Sequence, residues 1–583
     1  MFNFATIENY FANRYSHIAN HKLTPTHMNK TLIITTLALL LGYQAHPCTN
    51  FIVTKGASAD GSVMISYSAD SHQLYGELYF WPAKDWPAGA MLNIIEWDTQ
   101  KPLGKIPQIR HTYQVIGNMN EHQVAIGETT FGGREELQHQ KDAIVDYGFL
   151  IYGGLQRSKN AREAIKVFGE LTAAYGYASE GESFSISDAN EAWILEMIGK
   201  GEGQKGAVWV AVRIPDGYIS GHANEARITQ FPLHDPQNCL YSPDVITFAR
   251  QKGWFDGKDE EFSFSDTYAP VTFGGARFCE ARVWAMFNHC NKDMGKYEDY
   301  AMGKLQTGKW GYTTNRMPLY IKPDRKISAQ DMQNLMRDHY EGTKMDMNHD
   351  IGGGPFACPI RWRPMTWSVD SVNYVHERAV STMQTGFVFV AQSRSWLPDP
   401  IGGIFWFGVD DTYCTVFNPI YCGSNKTPKS YSVGNGDMLH YSGTSAFWTF
   451  NRVANWVYTR WSYMIKDLQK VQSELETKFA QETPKIDAEA AKLYKTDKAK
   501  GIAYVTNYTV KTADNTVARW KELSEYLLVK YKDGNIMKEK DGKFQDNGYG
   551  VPVMPSQPGY PDWWLKEIVR EHGDVIKAPA DKH

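Results

Sequence analysis

The chain is 583 residues long, 42% hydrophobic and 22% charged, with a formal net charge of -4. That composition excludes an intrinsically disordered chain, and the lack of any basic block or positive excess excludes the electrostatic footprint of a nucleic-acid-binding protein. Its seven cysteines include no pair in C-x-x-C spacing, which argues against a structural zinc site, and no cofactor signature is present.

Met28-Asn29-Lys30, followed by the apolar run from Thr31 to Leu41, reads as a bacterial-type signal peptide. It has one positive charge and a hydrophobic stretch well short of the roughly 20 residues that span a bilayer. Residues 1–27 are unlike a signal n-region, so Met28 is the expected start. On this reading the protein is exported, periplasmic or extracellular, and its mature form keeps no transmembrane anchor. Cys48 follows directly. A cut between Pro47 and Cys48, by the chain itself or by another protease, places a thiol and a free α-amine on one residue. An α-amine titrates near about 7.7–8.0, so it can take the thiol proton at neutral pH. A terminal residue carrying both nucleophile and base is the chemistry of N-terminal-nucleophile amidohydrolases. Pro47 also makes a poor lipobox, and a lipid on Cys48 would block both groups. The anchored-lipoprotein reading and the catalytic reading therefore exclude each other. An odd cysteine count leaves at least one thiol unpaired, and Cys48 is the natural candidate; Cys414 and Cys422 could bridge or stay free.

Beyond Cys48 the pattern predicts strands at Phe51–Val53 and Val63–Tyr67 around the turn residues 56–61, with Asp70 after them. A second hairpin is predicted from Tyr113–Gly117 and 123–130, and Phe131-Gly132-Gly133 then permits close backbone approach. Apolar residues at helical spacing, with Asn160 as cap, predict a helix to Tyr175. Strands follow at 184–187, 192–197, 208–214 and 217–221, and helices at 243–250, 279–289 and 329–339. Strands return at 385–391, 404–408 and 415–417. Helix formers and charge dominate 448–481, 483–493 and 515–531. This is an α+β pattern with largely antiparallel sheet.

Cys48-Thr49-Asn50, Ala59-Asp60-Gly61-Ser62 and Asp70-Ser71 resemble the start of the C69 dipeptidases, N-terminal-cysteine hydrolases related to choloylglycine hydrolases and penicillin V acylases. The resemblance continues through 120–126, 181–184, Arg213-Ile214-Pro215-Asp216, Ala223-Asn224, Ala281-Arg282-Val283-Trp284 and Gln392-Ser393-Arg394, covering roughly residues 48 to 423. It implies a four-layer αββα sandwich over 48–423, after a leader at 1–47 and before a mainly helical C-terminal extension at 424–583 packed on the catalytic body.

Carried over, Cys48 matches the nucleophile, Asp70 the aspartate that holds the terminal amine and thiol, and Asn224 the asparagine whose N–H serves the oxyanion hole. Thr130 falls at a second oxyanion-side position, with Thr129 a near-equal choice. Arg282 matches the arginine of the Arg-Val-Trp element, and Arg277 is its neighbour in competition. Many relatives carry an arginine three residues before the aspartate; here that position is Tyr67, placed at the substrate. The reaction implied is thioester-mediated hydrolysis of small peptides, dipeptides above all, without metal. The alternative is an amidase of the same fold acting on conjugated bile acids or N-acyl compounds. Homo-oligomerisation is left open.

Overall fold

The computed structural model describes residues 48–138 and 140–578. The expected leader lies outside the described residues. Elements are labelled in chain order. Strands β1 (Thr49–Val53) and β2 (Val63–Asp70) form the first hairpin. Short strands β3 (Phe80–Trp81), β4 (Val115–Ile116) and β5 (Met119–Asn120) precede the long β6 (Ala125–Gly132). Helices α1 (Tyr147–Leu155) and α2 (Ala161–Tyr175) come next, then β7 (Gly181–Ser187), β8 (Ala192–Gly199), β9 (Ala207–Arg213), β10 (Ile219–His222) and β11 (Cys239–Tyr241). Helix α3 (Ala281–Cys290), β12 (Tyr320–Ile321), α4 (Ala329–Leu335), β13 (Thr385–Ser393), β14 (Gly403–Val409) and β15 (Asn418–Tyr421) complete the body. The tail adds α5 (Ala446–Thr459), α6 (Trp461–Thr496), α7 (Lys498–Lys530) and α8 (Asp562–Ile576).

The strands make two antiparallel sheets. One has the order β12-β10-β1-β2-β13-β14-β15, the other β11-β9-β8-β7-β6-β5-β4-β3. β1 lies inside the first, with Asn50 opposite Tyr67 on β2 and His222 on β10. Its five residues are all buried, as a strand covered on both faces requires. One face meets the second sheet at Gly127 of β6, where an added Cβ would come within 2.3 Å of Asn50 Oδ1 and 3.1 Å of Tyr67 Cβ. A glycine is therefore needed for the sheets to approach this closely. On the opposite face Phe51 packs against Phe287 of α3, ring centroids 6.4 Å apart. Phe168 of α2 packs edge-on against Phe184 of β7, which covers the outer face of the second sheet.

The predicted cap at Asn160 forms, its side chain accepting from Glu163 N. The strand predicted at 415–417 lies one step later, at Asn418–Tyr421, because Thr415 instead caps the chain by donating to Val409 O at 2.7 Å. The helix predicted to run to His339 stops at Leu335, and the tail helices are longer than their sequence patterns. Cys414 and Cys422 are unbridged, as are all the described cysteines.

Candidate active site

Cys48 directly precedes β1, lines a pocket and is 3% exposed. Its backbone nitrogen donates to Asn224 Oδ1 at 2.8 Å. Asn224 follows β10 in the left-handed region, φ 60°, a conformation asparagine tolerates better than other side chains. Its Nδ2 donates to Thr130 O at 2.7 Å. The carbonyl end of its amide must therefore face Cys48, since both Cys48 N and Arg282 Nη2 (2.8 Å) are donors. The N–H that the resemblance gives to an oxyanion hole thus has a competing partner in the Thr130 carbonyl.

Arg282, 1% exposed, binds the backbone around the nucleophile. Nη1 donates to Cys48 O at 2.5 Å and Thr49 Oγ1 at 2.7 Å, and Nη2 to Ala223 O at 3.0 Å. It is the second residue of α3 and follows a π-helical turn over Gly275–Glu280. Such turns re-aim side chains at the cost of regular hydrogen bonding.

Asp70 ends β2. Its carboxylate accepts from Arg378 Nη2 at 2.6 Å and Thr385 Oγ1 at 2.6 Å. It reaches Cys48 through its backbone N–H, which favours the thiolate. Burial lifts the Asp70 carboxyl above the ordinary value, against the pull of Arg378. The positive charge that Tyr67 removes from the hairpin is thus supplied by Arg378, 308 residues away from Asp70. Tyr67 itself donates from Oη to Glu128 Oε1 at 2.5 Å and lies 3.6 Å from Cys48 Sγ.

Glu128 is a site residue absent from the sequence-derived candidates. Its Oε1 lies 3.6 Å from Cys48 Sγ. On β6 and β7, Thr130 is opposite Glu182 and Glu128 opposite Phe184. Glu128 and Glu182 are therefore diagonal neighbours on one face, and their carboxyls interact. Burial raises both: Glu128 to about 7, and Glu182 well above the usual range, with Glu128 itself the second cause. Thr130 Oγ1 donates to Glu182 Oε1 at 2.7 Å. Burial, then Glu128 and Asp70, push the Cys48 thiol well up. Sulfur here is a thiol awaiting a base, not a preformed thiolate.

Two candidates stand apart from the sulfur. Thr129 Oγ1 bonds His222 Nδ1 at 2.7 Å and ties the two sheets together. Arg277 is committed to Glu377, Nε to Oε2 at 2.8 Å, and so braces the loop that carries Arg378. A charged residue at an alternating position inside a buried strand is the signal in the sequence for Glu128 and Glu182. Nothing local marks Arg378.

The pocket that Cys48 lines is also lined by Trp97, Asp98, Tyr147, Tyr152 and Phe387. Tyr147 Oη donates to Asp98 Oδ1 at 2.9 Å. Asp146 caps α1 at Phe149 N and accepts from Trp97 N at 2.7 Å, fixing this loop to the helix.

Comparison with known proteins gives the same frame. The chain is 25% identical over 410 residues to a probable dipeptidase of Latilactobacillus sakei, covering 66% of this chain and 76% of the relative. It is 24% identical over 399 residues to a probable dipeptidase of Salmonella dublin, covering 64% and 81%. It is 24% identical over 498 residues to a probable dipeptidase B of Lactococcus lactis, covering 83% and 95%. The model of peptidase family C69 matches residues 47–474, which is most of the chain and begins one residue before the cysteine at the head of β1. With that match and this site, the chain belongs to peptidase family C69.

Proposed function

We propose that this protein is an exported cysteine dipeptidase whose mature chain begins at Cys48. The observation that carries the reading is the environment of that residue. Its nitrogen is held by Asn224, its carbonyl by Arg282, and the residue lines the pocket. Two stacked antiparallel sheets with helices outside them support the αββα sandwich of N-terminal-nucleophile hydrolases. The names of the relatives support dipeptides as substrates.

In this mechanism, removal of residues 1–47 converts the Cys48 amide nitrogen into an amine. The amine takes the thiol proton as sulfur attacks the substrate carbonyl, and returns it to the leaving amine as the thioester forms. Water, deprotonated by the same amine, then releases the acid. Arg282 holds the cysteine backbone, and Asn224 orients the amine by accepting one of its hydrogens. Asp70, neutralised by Arg378, fixes the end of β2 against the sulfur. Among the described residues no helix is long and apolar enough to cross a membrane.

The test combines N-terminal sequencing with hydrolysis of a dipeptide panel. Mature protein should start at Cys48, lose activity on thiol alkylation and fall by at least about 10³-fold in kcat as Cys48→Ala, the scale of removing a covalent nucleophile. Unchanged turnover in that variant would sink the proposal. The aromatic wall also favours a second reading, an amidase for N-acyl compounds, which the same panel separates by including blocked substrates.

A further inference from the structure

The pocket beside Cys48 has an unusual charge pattern. Three of its lining residues are carboxylic acids, Asp70, Asp98 and Glu128, and no lysine or arginine lines it. Asp70 has its counter-charge in Arg378. Glu128 has neutral partners only: the Tyr67 hydroxyl, the Cys48 thiol and the Glu182 carboxyl. Burial raises both carboxyls of the Glu128–Glu182 pair, so a cation placed beside them favours their charged form. A buried carboxylate without a cation is costly, and a site that keeps one is complementary to a cation arriving from outside.

The spacing suits one cation in particular. In an amino-acid residue the α-nitrogen and carbonyl carbon are about 2.5 Å apart. A carbonyl carbon within attacking distance of Sγ can therefore place its own α-nitrogen against a carboxylate oxygen that is 3.6 Å from that sulfur. Asp98 lines the same pocket and adds another carboxylate, and the aromatic rings of Trp97 and Tyr152, centroids 4.9 Å apart, line it as well.

Resting on the cysteine-dipeptidase reading above, we propose that Glu128 is the receptor for the α-ammonium of the residue whose carbonyl Cys48 attacks, with Asp98 in support. The substrate class is then peptides with an unblocked amino terminus, and N-acyl peptides and des-amino acyl amides are rejected. Rejection follows because a blocked amine gives the buried Glu128 carboxyl no counter-charge once the substrate has displaced water from the pocket. The nearest rival role for Glu128 is to hold the freed amine of Cys48 itself, which Asn224 Oδ1 already accepts.

The experiment uses the mature enzyme and the dipeptide it cleaves best, alongside the N-acetyl and des-amino forms of that dipeptide. Glu128→Gln should lower kcat/KM for the free dipeptide about 10- to 100-fold, mostly through KM, and leave the two blocked forms unchanged or improved. Asp98→Asn, at an exposed position, should move preference the same way by a smaller factor without touching the core. The wild-type acid limb of kcat/KM should include an ionisation near 7 that is absent in Glu128→Gln. Equal losses on all three substrates, with kcat carrying them, would assign Glu128 to the Cys48 amine and overturn the proposal. So would wild-type enzyme that cleaves blocked and free forms alike. Thiol alkylation of the wild type, run in parallel, reports on the nucleophile alone, so the two readings fail separately. If Glu128→Gln does not fold, the Asp98→Asn ratio decides, and no change in that ratio also overturns the proposal.

Discussion

At the residue scale, the site depends on neutralising buried charge with partners far away in sequence. Asp70 and Arg378 are 1% and 4% exposed. They form a buried ion pair, in which Asp70 also accepts from Thr385 and Arg378 also donates to Ala379 O. Removing one member of such a pair costs about 3–5 kcal/mol, because the remaining charge has no solvent to replace it. Arg378→Ala should therefore lower the unfolding free energy in urea by about that amount, with Arg378→Lys recovering part of it. The same variant should lose turnover, since an uncompensated Asp70 takes up a proton and changes the backbone that faces the sulfur. Cys48, Tyr67, Asn224 and Arg282 are all legible in the amino-acid order, yet what they bind is not. Asn224 acts through its oxygen toward Cys48, and Tyr67 acts through Glu128. Such roles depend on which donor meets which acceptor across two sheets, and spacing along one strand carries no information on that.

At the element scale, the long tail helices are tied to the sheet that carries the cysteine by buried ions. Glu476 of α6 accepts from Arg337 at 2.5 and 3.1 Å and from Phe417 N at 3.1 Å. Further along the helix, Asp487 pairs with Arg394 and accepts from Tyr421 Oη at 2.7 Å. Gln472 Nε2 donates to Thr415 O at 2.6 Å. These contacts accompany the departure of residues 415–417 from the strand pattern: Thr415 O and Phe417 N are engaged by α6, and the Thr415 hydroxyl by Val409 O of β14. Glu476→Ala should destabilise the protein by about 3–5 kcal/mol, read as a lower denaturant midpoint, because it leaves Arg337 buried without its partner. Glu476→Gln should cost less, since the hydrogen bonds survive without the charge. Helices such as α2 and strands such as β7 and β8 are legible in the sequence because each follows a simple period and has a cap or turn at its end. The short strands β3, β4 and β5 are not all so, since two residues are too few for a period to show.

At the scale of the whole molecule, the family match ends at residue 474, inside α6, and the sheet does not end where the helices begin. A chain stopped after Gly423 loses the partners of Arg337 and Arg394 together with the cover over Tyr421 and Phe417. It should fail to accumulate as folded protein, measured by soluble yield and the loss of a cooperative thermal transition. A stable, cooperatively melting 48–423 fragment would contradict this. The family, the cysteine that heads β1 and most regular elements follow from the amino-acid order alone, because those are written in local order, period and motif. Which charges meet around the sulfur follows only from the folded chain: Arg378 on Asp70, Glu128 on Tyr67, and Glu182 on Glu128. The physical reason is that a buried ion is tolerable only where a partner reaches it in space, and folding brings such partners together from positions up to 308 residues apart.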